Sequence, residues 1–312
     1  MHPVSANIVL NRSEVSEAPP SEAHTFDRAI AFSRTLGLVA PGEMEILHNK
    51  TVAIAGLGGV GGSHLLTLTR LGIGGFHLAD FDTFGQENFN RQAGANITTI
   101  GRKKLDVMIG LARQINPGLR IRSFPAGVTP HNVDDFLNGA DVYVDGLDLF
   151  AFHARDAVFQ RCYDRGIPAL TAGPLGMGAA LMIFLPGGMS FREYIDWQST
   201  DSPVVKAIKL VVGLAPALPH RYSLVDRRFV DLANGKGPSV PMACELCAGF
   251  AGSQVLKLLL GRGPIQACPR SLHFDAYVDR LYARTVWMGN RNPWQKLKIA
   301  VTMRALAGKQ PA

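Results

Sequence analysis

Short apolar runs alternate with helical patterns from residue 51 onward. The run TVAIAG is continuous and rich in β-branched residues, which is typical of a buried strand, and Val60 to Leu71 has helical spacing. A second strand, GGFHLAD, and a second helix from Arg102 to Gln114 follow it. This βαβα order predicts an α/β fold: a Rossmann-like, mostly parallel sheet flanked by helices on both faces.

The alternation continues toward the C-terminus. LRIRSFP and DVYVDG are predicted strands, and the segments from Asn132 to Leu137 and from Phe152 to Arg165 are predicted helices. Ala243 to Leu260 is apolar at helical spacing and ends at Gly261, which predicts a core helix. SLHFDAY adds a late strand, and we expect the late strands to be antiparallel.

The stretch from Gly166 to Phe191 is uncharged and long enough to cross a bilayer. Its six glycines and three prolines divide it into IPALTAG, PLGMG and AALMIFLPGG. These residues interrupt a helix but suit a turn between strands, so the stretch predicts two short buried strands and no membrane segment.

Composition changes divide the chain into three parts. Residues 1–24 mix Ser, Glu, Pro and Ala without an apolar period and predict a flexible arm. Residues 25–280 hold the α/β pattern, with an excursion at about 191–241 that we expect to cover the open edge of the sheet. Residues 281–312 form a basic C-terminal extension, predicted to be a surface helix with a solvated basic face or, as the alternative, a site for an anionic partner.

Overall composition is that of a folded protein: 47% of the 312 residues are hydrophobic, which excludes collagen, coiled coil and wholesale disorder. The net charge of +7 is thinly spread, since only 18% of residues are charged, and it favours an anionic ligand. Four cysteines are too few for a disulfide framework, and the N-terminus lacks a basic segment followed by an apolar run. We therefore expect a cytoplasmic protein.

The glycine loop GLGGVG lies between the first strand and the first helix. Glycines permit a tight turn and a close approach of backbone to ligand, and the N–H groups at a helix start bind phosphate. Asp80 ends the next strand, 19 residues beyond Gly61, where a carboxylate can bind ribose hydroxyls. This arrangement predicts a nucleotide site, with a mononucleotide and a dinucleotide both open.

Cations follow the glycine loop in the motifs NFNRQ and GRKK. Hydride transfer needs no cations here, whereas Arg91 and Lys104 could stabilise the charge of ATP phosphates. Taken singly, each could instead be a solvated surface cation.

The combination of motifs resembles the ThiF/MoeB/HesA-type, ubiquitin-activating-enzyme-like adenylating enzymes. The resemblance rests on GLGGVG, DFDTFGQENFNRQ, GRKK, DVYVDGLD and IPALTAGPLGMGA in this order, from about Phe32 to Leu185. A segment similar to the family's late core helix extends it to about Gly261.

The resemblance implies an ATP site with Mg2+ and assigns a role to each matching residue. The phosphates would lie on Gly56, Gly58, Gly59 and Gly61, the ribose on Asp80, the triphosphate on Asn88, Arg91 and Lys104, and Mg2+-ATP on Asp148. Asp148 alone could instead be a helix N-cap before FAFHAR. Arg34, or Arg28 in its place, would reach into the ATP site of a partner subunit.

The implied reaction is attack of a substrate carboxylate on the α-phosphorus of ATP, which makes the protein an adenylyltransferase. This sequence departs from the family at three points. No cysteine lies between Cys162 and Cys244, so we expect no enzyme thioester. A single CxxC pair, Cys244 to Cys247, is too few ligands for structural zinc, and the family's Asp-Asn pair reads Asp148-Leu149.

The resemblance also implies a homodimer. Its expected substrate is the C-terminal glycine of a small ubiquitin-like or sulfur-carrier protein, or a peptide. A tRNA carboxylate remains open, because some relatives activate one. Two other classes also remain open: an NAD-dependent oxidoreductase, and a catalytically reduced nucleotide-binding scaffold.

Overall fold

The computed structural model describes residues 25–232 and 237–307. The predicted arm at residues 1–24 lies outside the described residues. Within the described ranges, eight strands form one sheet in the order β3-β2-β1-β4-β5-β6-β7-β8. The strands are β1 (Thr51–Ala55), β2 (Gly75–Ala79), β3 (Arg120–Phe124), β4 (Val142–Asp145), β5 (Ala169–Leu175), β6 (Gly178–Phe184), β7 (Arg270–Asp275) and β8 (Arg280–Thr285).

Helices connect and cover these strands. They are α1 (Arg28–Ala31), α2 (Pro41–Asn49), α3 (Gly59–Arg70), α4 (Lys104–Ile115), α5 (Val133–Leu137), α6 (Phe152–Asp164), α7 (Phe191–Ile195), α8 (Pro203–Leu214), α9 (Pro241–Leu260) and α10 (Pro293–Ala307).

The five strands from β3 to β5 run parallel, and β6, β7 and β8 are antiparallel to their neighbours. This confirms the predicted α/β fold with late antiparallel strands. At the carboxyl end of β1, Ala55 pairs with Ala79 of β2 and with Asp145 of β4. The three loops that follow these strands therefore start side by side, at what we call the carboxyl edge of the sheet.

The uncharged stretch from Gly166 to Phe191 contains β5 and β6, as predicted. The two strands pair antiparallel from Ala169 opposite Phe184 to Leu175 opposite Gly178, and β6 is buried throughout. Both strands lie inside the sheet, which explains why neither carries a charged residue.

Helix α9 packs on one face of the sheet against β5 and β6 and also contacts α3. It is the one described helix that is long and apolar enough to cross a membrane. Cys247, Ala251 and Val255 are buried in the core cluster on this face, which also contains Leu65 of α3 and Leu181 of β6. In this structure α9 is therefore a core helix, as predicted.

The described start of the excursion packs on one face of the sheet, which differs from the expectation that it covers the open edge. Phe191 and Tyr194 of α7 are buried on the face opposite α9, and Phe191 stacks on Phe159 of α6 with ring centroids 4.5 Å apart. The edge beside β6 is occupied by β7 and then by β8. The sequence RLYART of β8 carries two arginines and lacks the apolar alternation of a recognisable strand.

The predicted domain boundary at residue 281 falls inside β8. Beyond this strand, α10 packs on α8, where Ile299 contacts the cluster of Ile208 and Val212. Several α10 side chains on its other side are exposed, among them Lys296 and Arg304. Residues 308–312 lie outside the described part of the chain.

Candidate functional site at the carboxyl edge

The glycine loop leads from β1 directly into α3. Gly56 has a φ of +84°, and a Cβ there would collide with the carbonyl of Gly146 in the loop after β4. A Cβ at Gly61 would collide with the carbonyl of Gly56. These two positions require glycine because the loop folds tightly on itself and on its neighbour.

The start of α3 is open to a ligand. Gly58 is the N-cap residue, so no side chain caps the helix. The space at Gly58 is bounded by Gln92, whose Nε2 lies 3.6 Å from the position that a Cβ would take. Uncapped N–H groups at the positive end of a helix dipole bind anions, so the geometry suits phosphate.

Asp80 holds the glycine loop from the neighbouring strand end. It is 9% exposed, and its carboxylate accepts hydrogen bonds from Leu57 N at 2.6 Å and from Asp82 N at 2.8 Å. Burial raises the pKa of this carboxyl, while the two N–H donors and Lys104 oppose that shift. Each carboxylate oxygen can accept more than one hydrogen bond, so capacity for ribose hydroxyls remains.

Arg91 lies beside the glycine loop. Its Cγ lies 3.5 Å from the position of a Cβ at Gly59. The guanidinium donates to Glu87 O at 3.2 Å and to Asn90 Oδ1 at 2.9 Å, and no carboxylate within the described ranges forms an ion pair with it. Its positive charge therefore remains available to an anion.

Asn88 has a structural contact that the sequence did not predict. It is buried, and its Oδ1 accepts from Gly85 N at 3.0 Å, which closes the turn before Arg91. The Nδ2 group of Asn88 remains as a donor for a ligand.

Lys104 begins α4 and is 7% exposed. Its Nζ lies 3.2 Å from Asp82 Oδ2, in an ion pair two residues beyond Asp80. The pair holds the ammonium beside the segment that follows β2. Asp82 was part of the quoted motif, but its pairing depends on the fold and was not predicted.

Asp148 lies in the loop after β4 and is exposed. Its Oδ1 accepts from Phe150 N at 2.9 Å. The alternative reading of Asp148 as a helix N-cap was wrong, because α6 begins at Phe152 and its N-cap is Ala151. The carboxylate is accessible from solvent.

Two further groups at this edge were not predicted. Gln92 is buried, and its Oε1 has no hydrogen-bond partner among the described residues. A buried unpartnered oxygen is rare in proteins and often marks a place where a ligand or water binds. Below the loop that carries Asp148, Arg155 and Asp145 form a buried ion pair.

Arg34 and Arg28 differ in their contacts. Arg34 is exposed in a 3-10 turn at Ser33–Thr35 and makes no hydrogen bond or ion pair with other described residues. Arg28 donates to Met44 O at 3.4 Å and pairs with Glu45. Arg34 is the freer of the two, and its role across a dimer stays a prediction.

All four cysteines are free and buried. Cys244 contacts the glycine loop, since its Sγ lies 3.0 Å from the position of a Cβ at Gly59. No group of three or more His, Cys, Asp or Glu residues in ranges 25–232 and 237–307 could hold a metal ion. A Mg2+ ion here would therefore depend on phosphate and water for most of its ligands, which is its usual coordination with nucleotides.

A family model described as the ThiF family matches residues 32–296. The chain belongs to the ThiF family. The match includes every predicted site residue except Arg28.

Similar proteins fit this membership. The chain is 32% identical over 150 residues to the tRNA threonylcarbamoyladenosine dehydratase of Bacillus subtilis (strain 168), a match that covers 48% of this chain and 57% of the relative. It is 31% identical over 229 residues to "Probable adenylyltransferase/sulfurtransferase MoeZ" of Mycobacterium tuberculosis (strain H37Rv), covering 64% and 58%. This ThiF-family chain thus spans little more than half the length of these two relatives.

The solved structures show the same fold. The Escherichia coli tRNA N6-threonylcarbamoyladenosine dehydratase TcdA, solved in complex with AMP, superposes with a TM-score of 0.55 at 23% identity. The superposition covers 75% of this chain and 95% of TcdA.

Proposed function

We propose that this ThiF-family protein is an ATP-dependent adenylyltransferase that activates a substrate carboxylate. The observation that carries the proposal is that Arg91, the Lys104–Asp82 pair and the loop of Asp148 all lie on segments that adjoin the glycine loop at the carboxyl edge of the sheet. This set of charges suits a triphosphate with its metal. Family membership and the AMP bound to TcdA support it.

In the proposed reaction, a carboxylate oxygen attacks the α-phosphorus of ATP. The new O–P bond forms as the bond between the α-phosphorus and its bridging oxygen breaks, which gives an acyl adenylate and pyrophosphate. The glycine loop and Asp80 would hold the nucleotide, while Asn88, Arg91 and Lys104 would bind the phosphates. Catalysis is then positioning and charge stabilisation, which needs no protein nucleophile.

Mg2+ would be held by Asp148 together with the phosphates. When bound, it would neutralise charge on the pyrophosphate leaving group. The exposed carboxylate of Asp148 is the kind of hard oxygen ligand that Mg2+ prefers.

The proposed reaction proceeds without an enzyme thioester. Support comes from the cysteines, because a thiol must ionise to act as a nucleophile and burial opposes ionisation. Burial raises the pKa of all four thiols: Cys162, Cys244, Cys247 and Cys268.

The substrate we propose is the C-terminal carboxylate of a small ubiquitin-like or sulfur-carrier protein, or of a peptide. The enzyme would act as a cytoplasmic homodimer in which Arg34 completes the partner's site. Arg34 supports this role by being exposed and uncommitted.

A carboxylate on tRNA is the second candidate, and a specific surface favours it. Trp287 and Trp294 are 71% and 73% exposed beside β8 and α10. On the same two elements, Arg280 and Arg284 of β8 and Lys296 of α10 form no ion pair with any described carboxylate. Cations with exposed aromatic rings suit nucleic acid.

Two other classes account for fewer observations. An NAD-dependent oxidoreductase uses the glycine loop and Asp80 but leaves Arg91 and Lys104 unexplained. A catalytically reduced scaffold would explain the absence of a thioester cysteine, but it would not need an accessible Asp148.

The test is substrate-dependent exchange of labelled pyrophosphate into ATP, screened with carrier proteins, peptides and tRNA. Lys104→Ala and Asp148→Ala should abolish exchange. Lys50→Ala is the matched control, because Lys50 also forms an ion pair, with Asp141 at 2.8 Å, but at the amino end of β1. Exchange that survives both site variants would contradict the proposal.

A further inference from the structure

A buried ion pair lies beneath the loop that carries Asp148. Arg155 of α6 donates through Nε to Asp145 Oδ2 at 2.8 Å, and the two side chains are 4% and 1% exposed. Asp145 is the last residue of β4, so it is fixed by the sheet. Arg155 is therefore anchored to the central part of the fold.

The remaining guanidinium donors bind the loop on both sides of Asp148. Nη2 donates to Leu147 O at 2.7 Å, and Nη1 donates to Leu149 O at 3.2 Å. Asp145 contributes as well, because its Oδ1 accepts from Leu147 N at 3.2 Å. The residues before and after Asp148 are thus held by one buried side chain.

The carboxylate of Asp148 has little support of its own. It is exposed, and Phe150 N in the same loop is its one hydrogen-bond donor among the described residues. Its position therefore depends on the backbone that Arg155 holds.

A buried ion pair is weak evidence for stability, since its desolvation can cost as much as the attraction returns. An uncharged side chain could fill the space that Arg155 occupies. The three-pronged geometry of a guanidinium, by contrast, can hold one carboxylate and two carbonyl groups at once. This chemistry indicates a role in placing the loop.

We propose that Arg155 is a positioning residue that holds Asp148 where it can serve the Mg2+-nucleotide. The inference rests on the proposed function. It assigns Arg155 no contact with the nucleotide. Loss of the clamp should therefore weaken the contribution of Mg2+ and leave metal-free nucleotide binding in place.

The supports of the glycine loop explain why metal-free nucleotide binding should not depend on Arg155. Gly146 N donates to Ala55 O at 2.9 Å, which joins the start of the Asp148 loop to the end of β1 without Arg155. Asp80 holds Leu57 N independently from the other side. The phosphate-binding backbone thus keeps its own supports.

The experiment is calorimetric titration of ATP into Arg155→Lys, with EDTA and at a series of Mg2+ concentrations. A lysine ammonium can still pair with Asp145 but cannot bind both loop carbonyls in the same planar geometry. Loss of an outer partner of a metal ligand typically costs ten- to a hundredfold in affinity. In Arg155→Lys, we expect the factor by which Mg2+ increases ATP affinity to fall by about ten- to a hundredfold. The affinity for ATP without metal should stay within about twofold of that of the wild type.

Hydrogen exchange gives a second measurement that does not depend on ligand. The amides of residues 147–150 should exchange faster in Arg155→Lys than in wild type. The matched control is Arg161→Lys on the same helix, since Arg161 is half-exposed and pairs with Asp134 at 3.2 Å, away from the loop.

If Arg155→Lys does not fold, Asp145→Asn/Arg155→Met replaces it, because this pair of changes leaves no buried charge unpaired. A folded variant with wild-type Mg2+ dependence and wild-type exchange at 147–150 would overturn the inference. Absence of any Mg2+-dependent gain in the wild-type protein would instead contradict the proposed function, and this inference with it.

Discussion

Buried histidines should make the fold sensitive to mild acid. His64 in α3 is 1% exposed, and neither of its ring nitrogens has a hydrogen-bond partner among the described residues. Burial lowers its pKa to about 4, while Asp145 opposes the shift. Burial also lowers the pKa of His220 and of His273 to about 4.

The direction of the pH effect follows from these values. In the unfolded chain each histidine binds a proton at about pH 6.5, whereas His64 in the fold stays neutral down to about pH 4. Between these values the unfolded state binds more protons, so stability is lost as the pH falls through this window. For His64, linkage gives a loss of about 2 kcal/mol between pH 7.5 and pH 5.

The assay is urea unfolding of wild type and His64→Leu at pH 7.5, 6.5, 5.5 and 5.0. Leucine removes two unpartnered ring nitrogens, so the variant should lose about 2 kcal/mol less than wild type over this range. His153→Leu is the control, because His153 lies exposed on α6. Equal pH dependence in wild type and His64→Leu would refute the reasoning.

Three other substitutions or reagents test the site. Gly61→Ala should lower the free energy of unfolding by about 1–3 kcal/mol and weaken ATP binding, because the new Cβ would collide with the carbonyl of Gly56. Denaturant unfolding and ATP titration measure these effects, and Gly110→Ala is the control because the space around Gly110 is open. Gln92→Leu should leave the free energy of unfolding unchanged but weaken ATP binding about tenfold in calorimetry. The control Gln160→Leu, on the surface, should bind ATP as the wild type does, and unchanged ATP affinity in Gln92→Leu would exclude Gln92 from the site. The four buried thiols should react with a thiol reagent at pH 8 only after unfolding, and one fast native thiol would contradict the case against a thioester.

The central elements were predictable because their patterns are strong. The continuous apolar runs of β1 and β4 and the breakers between β5 and β6 fix buried strands without knowledge of the partners. Helix α8 was not predicted, because it lies in the excursion, where several prolines interrupt the alternation of strands and helices. Pro203 is instead the first residue of α8, and Ser202 caps it by accepting from Val205 N at 3.4 Å.

Only those site residues that lie within recognisable motifs could be predicted from the sequence. Arg91 and Lys104 follow the glycine loop at spacings that indicated a triphosphate, and both lie at the carboxyl edge. The supports beneath them could not be predicted. Arg155 looks like any helix cation in sequence, and only the fold brings it to Asp145 and to the carbonyls beside Asp148.

The most direct test of the central claim is calorimetric titration of the purified protein with Mg2+-ATP and, separately, with NAD. The account predicts saturable binding of Mg2+-ATP that is lost in Lys104→Ala and retained in Lys50→Ala, with weaker or no binding of NAD. Tight NAD binding without ATP binding would contradict it.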